Sequence, residues 1–170
     1  MRATCCSREG KIRVSSIKDF ADKYQEATNY FEKLVKSLQP SDLDTKAPGE
    51  WSARQIIHHM ADSEAQSYAR LRRLLAEPAG SVIQGYDEGA WAESKNLGYE
   101  ELDIENSFTV TISVRNASAD LIRRMSLSDL ENFGTHTERG KFTVTDWLKA
   151  YSNHPFDHGA QLERAIKGLP

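Results

Sequence analysis

Near its C-terminal end the chain reads KAYSNHPFDHGAQLERAIK over residues 149–167, placing His154 and His158 four residues apart with Pro155 between them. Imidazoles spaced i, i+4 stack on one helical face, so their nitrogens can converge on one ion. Trp147, Tyr151, Leu162 and Ala165 define the apolar face of this segment. On a helical wheel both histidines fall within about 20° of its centre. One histidine so placed reads as a hydrogen-bonded core residue. Two, one turn apart, read as metal ligands.

A third ligand has to come from another helix, and HHMADSE supplies His58 and His59. His59 lies about 60° from Ile56, at the shoulder of that helix's apolar stripe, while His58 points about 100° further round, towards solvent. His59 is the candidate ligand and His58 its exposed neighbour. His136, in a hairpin-like loop, reads as a surface residue. Three neutral imidazoles suit Zn²⁺ or a borderline ion such as Ni²⁺, with a position left open. Water bound there ionises near neutral pH, and the ion can polarise a carbonyl or accept a thiolate. The residues between the last two histidines are Pro-Phe-Asp, so the glutamate base of an H-E-x-x-H site is absent. No catalytic acid or base is assigned.

Pro155 removes one backbone donor and leaves the Tyr151 carbonyl without its usual partner, at about 3 kcal/mol in an ordinary helix. Two readings follow. Either a kink aims His154 at the metal and frees a carbonyl for water, or it spoils the site; survival of both histidines on the core face favours the first. Glu64 lies near the centre of its helix's stripe, where it can orient a ligand imidazole, although an interhelix salt bridge is the simpler account. Arg115 faces the core and can bind an anionic substrate group; a snorkelling side chain or a buried pair with Glu64 is simpler. Tyr86 and Trp91, in GYDEGAW, suit a lid or dimer contact, or packing over the bundle end. Asp157 points sideways and reads as solvated.

These side chains need elements to hold them, and helical periodicity dominates. From Ser16 to Pro40, Phe20, Tyr24, Ala27, Phe31, Leu34, Val35 and Leu38 share one face. A second helix opens with the capping-box pair Ser52 and Gln55 and stops before Pro78. A long connection spans 79–98. SFTVTISV has strand-like content, yet Phe108, Thr111, Ile112, Ala119, Ile122 and Met125 keep a helical period, predicting a third helix over about 100–125. A small hairpin turning at Arg139-Gly140 precedes the last helix, capped by Thr143 and Asp146. The fold class is all-α: a four-helix bundle with one long crossover.

The chain's 170 residues suit one domain, expected over 16–170, behind a polar and flexible leader over 1–15. A net charge of −3 gives no electrostatic reason to expect nucleic acid or an anionic membrane. No apolar run approaches the roughly 20 residues of a membrane span. The start lacks the apolar middle of a secretory signal, so a cytoplasmic protein is expected. Adjacent Cys5 and Cys6 match neither zinc nor redox spacing and read as exposed thiols.

WSARQIIHHMADSEAQSYARLRRLLAE, then GYDEGAW, then HPFDHGAQL resemble the DinB-like superfamily, and within it the YfiT branch described as metal-dependent hydrolases. The resemblance spans roughly residues 17–167. It implies an up-down-down-up four-helix bundle, a homodimer, and a three-histidine zinc or nickel site falling on His59, His154 and His158. It also implies a small-molecule substrate, since related families are S-transferases that use low-molecular-weight thiols. The rival reading is a non-catalytic metal-binding or dimerising bundle.

Overall fold

The computed structural model describes residues 16–170; the leader and its two cysteines lie outside the described residues. Among the described residues there are five α-helices: α1 (Ile17–Lys36), α2 (Ala53–Ala76), α3 (Glu88–Glu93), α4 (Glu105–Arg124) and α5 (Val144–Ala165). Three of them start on reciprocal capping boxes, Ser16 with Asp19, Ser52 with Gln55 and Thr143 with Asp146, which satisfy amide donors a helix start leaves open. The β-branched stretch SFTVTISV is helical within α4. The hairpin is formed by β2 (Phe133–His136) and β3 (Gly140–Thr143).

One element has no periodic signature. β1 (Val82–Ile83), in the crossover after α2, pairs in parallel with β2, Val82 opposite Thr135 and Ile83 opposite His136. The sheet order is β1-β2-β3. Gly134 makes the approach possible, because a Cβ there would lie 2.7 Å from the Ser81 carbonyl oxygen and 2.6 Å from Ile83.

Contacts between side chains fix the bundle's course. Along α2 and α4, His58 meets Ser107 and Glu64 meets Arg115, so these helices run parallel. Along α2 and α5, His59 meets His158 and Ser67 meets Trp147, so these run antiparallel. Helix α1 runs parallel to α5, with Tyr24 on Trp147 and Tyr30 on Phe156. The chain therefore goes up, down, down and up, and the crossover from Glu77 to Ile104 is what two consecutive parallel helices require.

Each long helix is apolar at both ends and polar at its waist. One cluster holds Tyr24, Leu71, Leu74, Ile122 and Trp147; the other holds Phe31, Ile56, Ile57, Met60 and Leu162. Between them lie buried Thr28, Ser63, Glu64, Ser67, Thr111, Arg115 and Ser118. The apolar ends stabilise the bundle by removing hydrocarbon from water. The waist must find hydrogen bonds internally, and the candidate site sits there.

Candidate metal centre

His59, His154 and His158 come together at this waist, each offering a ligand atom within 4.8 Å of the others. The Nε2 atoms of His59 and His158 are 3.2 Å apart, across α2 and α5. The outer nitrogens of the two α5 histidines are committed. His154 Nδ1 lies 3.0 Å from Glu64 Oε1, and His158 Nδ1 lies 2.9 Å from Gln161 Oε1. Both oxygens only accept, so both Nδ1 atoms carry the proton and both Nε2 atoms present bare lone pairs. Ser63 Oγ, 3.3 Å away, can donate to His154 Nε2.

Those bare, clustered lone pairs fit a divalent cation. Burial, then His158 and His154, push His59 down to about 3; burial and His154 push His158 down to about 4. His59 and His158 are thus neutral at pH 7, the state a metal requires. The Trp51 ring packs 5.1 Å from the His59 ring and walls that side.

Pro155 sits inside an unbroken α5, and its consequence differs from the expectation. The Tyr151 carbonyl is taken by Arg115 Nη1 at 3.1 Å rather than left for water. The same guanidinium donates to Glu64 Oε1 at 2.6 Å, to Thr28 Oγ1 at 2.8 Å and to the Tyr24 carbonyl at 3.1 Å. Both readings of Glu64 hold at once, because one oxygen pairs with Arg115 and accepts from His154. Arg115, fully buried, is that pair's other half and is not open to a substrate. Burial pushes the Glu64 carboxyl up, but Arg115 and His154 outweigh it and hold it below the usual range.

Two histidines depart from their expected exposure. His58 is buried, its ring between Ser107 Oγ at 2.8 Å and the Leu102 carbonyl at 3.2 Å, because the crossover covers the outer face of α2. His136 is buried too, against Phe142 in the hairpin. Asp157 is exposed, as its wheel position predicts. Tyr86 and Trp91 pack on each other in the crossover, ring centroids 4.6 Å apart.

A cavity of about 510 Å³ lies between Trp51, Gln55 and the crossover, and none of the three histidines lines it. Two smaller openings reach the site. One, bordered by Ser63, Arg70, Tyr151 and His154, holds about 100 Å³; the other reaches His158 and Gln161. Glu88, at the start of α3, borders both. Arg70 escaped the sequence reading, although it continues the stripe Ile56, Met60, Ser63, Ser67 at alternating steps of four and three.

The DinB superfamily model matches residues 23–162. The chain belongs to that family. A relative from Oceanobacillus iheyensis, named "Putative metal-dependent hydrolase", is 29% identical over 160 residues, covering 94% of this chain and 91% of its own. A Bacillus cereus relative of the same name is 29% identical over 159 residues, covering 93% and 90%. YfiT from Bacillus subtilis, described as a probable metal-dependent hydrolase with an unusual four-helix bundle topology, superposes with a TM-score of 0.78. It shares 24% identity over all of this chain and 94% of its own, which establishes a shared DinB fold. No helix among the described residues is long and apolar enough to cross a membrane.

Proposed function

We propose that this chain is a metal-dependent hydrolase of a small substrate, with His59, His154 and His158 holding one zinc or nickel ion. The observation that carries the reading is the pair of outer hydrogen bonds, His154 to Glu64 and His158 to Gln161, which leave both inner nitrogens unprotonated. A metal bound by three protein ligands keeps a position for water, or for the thiolate of a low-molecular-weight thiol, and lowers the pKa of either. The chain's own contribution is positional. Glu64 and Gln161 fix the tautomers and ring planes, Arg115 fixes Glu64, and Trp51 excludes water from behind His59. The relatives' names support hydrolysis, and the two openings beside His154 and His158 give a small molecule access. A homodimer working in the cytoplasm completes the proposal.

Metal content of the purified protein tests it, beside a His154→Ala/His158→Ala variant. About one equivalent of zinc or nickel is expected in the wild type and none in the variant. Hydrolysis of esters and amides, and transfer to a low-molecular-weight thiol, are then assayed with the loaded protein. No retained metal after reconstitution, with both proteins equally stable, overturns the reading.

A further inference from the structure

Arg70 is 9% exposed, yet its partners are neutral: Nη1 donates to the Tyr151 hydroxyl at 2.7 Å and Nη2 to the Gln84 carbonyl at 2.8 Å. Burial, partly offset by Arg70, raises the Tyr151 hydroxyl pKa, so it does not ionise to balance the charge at pH 7. Nε of Arg70 is buried and has no hydrogen-bond partner. Among the described residues no carboxylate forms an ion pair with Arg70, or with Arg139 nearby on the hairpin turn. A buried cation without a counter-ion is costly, and a protein keeps one where an anion is delivered to it.

The cleft of about 100 Å³ beside His154 is lined by both of these arginines and by His136. His136 Nδ1 accepts the Glu138 backbone N–H at 3.2 Å, so its proton sits on Nε2 and that nitrogen is a donor. Burial first, then Arg70 and Arg139, push the His136 pKa down, with Glu138 opposing them. The opposing charges are Glu88 at the rim and Glu138 on the hairpin turn, both exposed and screened by water.

We propose that Arg70, with Arg139 and His136, forms an oxyanion subsite that receives a carboxylate or phosphoryl group of the substrate. Resting on the hydrolase reading, this subsite holds the anionic end of the substrate while its scissile bond lies towards His154 and the metal. Arg70, Arg139 and His136 all line one small opening, which suits a terminal oxyanion better than a bulky neutral group.

Acetate and inorganic phosphate, titrated calorimetrically into the metal-loaded protein, test the subsite and separate carboxylate from phosphoryl recognition. Arg70→Gln is expected to weaken the tighter-bound anion about tenfold or more. Arg139→Ala, at an exposed position where folding is not at risk, weakens it about threefold. Metal content is measured on the same samples. Equal anion affinity in wild type and both variants, at equal metal content, places the anion elsewhere and overturns the subsite, as does the binding of neither anion. Anion binding that depends on Arg70 in a protein retaining no metal overturns the hydrolase reading and leaves the subsite standing.

Discussion

Tyr151 has an arginine on each side, and the two sides are built differently. Behind it, Arg115 grips the Tyr151 carbonyl from a position with no exposure and meets Glu64, Thr28 and the Tyr24 carbonyl. In front of it, Arg70 holds the Tyr151 hydroxyl beside an open cleft and meets no carboxylate among the described residues. The same side-chain type, buried a few ångströms from the same helix, is neutralised within the protein in one region and left wanting an anion in the other. Completeness of the partner set separates a structural arginine from a binding one; burial alone does not.

Acid tests the waist that both regions share. It is buried, and its clustered imidazoles repel one another when charged, so a further positive charge there is opposed. The folded pKa values of His59 and His158, about 3 and about 4, lie below the ordinary value of 6.5. The unfolded chain therefore takes up protons first, and stability falls as pH drops from 6.5 towards 4. Urea titrations of metal-free protein at pH 7.5, 6 and 5 should show that decline. A flat profile would mean that the imidazoles charge without cost and that the waist is wetter than described.

Replacing Arg115 by methionine strands Glu64 as an unpaired buried charge and should cost about 3–5 kcal/mol in urea unfolding. Glu64→Gln keeps an acceptor for both neighbours but removes the charge behind His154. Metal affinity should fall about 10- to 100-fold by chelator competition, and an unchanged affinity would reduce Glu64 to a packing role. Arg70→Gln gives up two hydrogen bonds to neutral groups and should cost about 1–2 kcal/mol. A loss as large as that of Arg115→Met would dissolve the distinction between the two arginines. Arg139→Ala should leave stability within about 0.5 kcal/mol while changing anion binding.

The back region was largely legible in the sequence and the front region was not. His59, Glu64, His154 and His158 sit on long periodic helices with readable capping boxes, and Arg115 on a helix whose period shows although its uncapped start, at Glu105, lies later than about residue 100, so a wheel placed all five on core-facing stripes. Pro155 drew attention to the Tyr151 carbonyl, but only the packed structure shows the α4 side chain that satisfies it. The front region depends on the crossover and the hairpin. A two-residue strand has no period to detect, and its partner strand lies about fifty positions away in sequence. Likewise His58 looked exposed because a wheel knows the bundle core and not what covers the other face, here Leu102 and Tyr99 of the crossover and Ser107 at the start of α4. Arg70 was readable as an extension of the α2 stripe, but an arginine on a stripe carries no sign of whether it is paired.

The parallel pairing of β1 with β2 has a consequence for how such a protein can change. It fastens the crossover bearing Glu88 to the hairpin bearing His136 and Arg139, making one removable wall against a bundle that carries all three histidines. Substitutions or length changes in that wall remodel what the cleft accepts without moving the ion's three holders. Of the proposed subsite, His136 and Arg139 can thus drift with the wall, while Arg70 stays on the helix that carries His59.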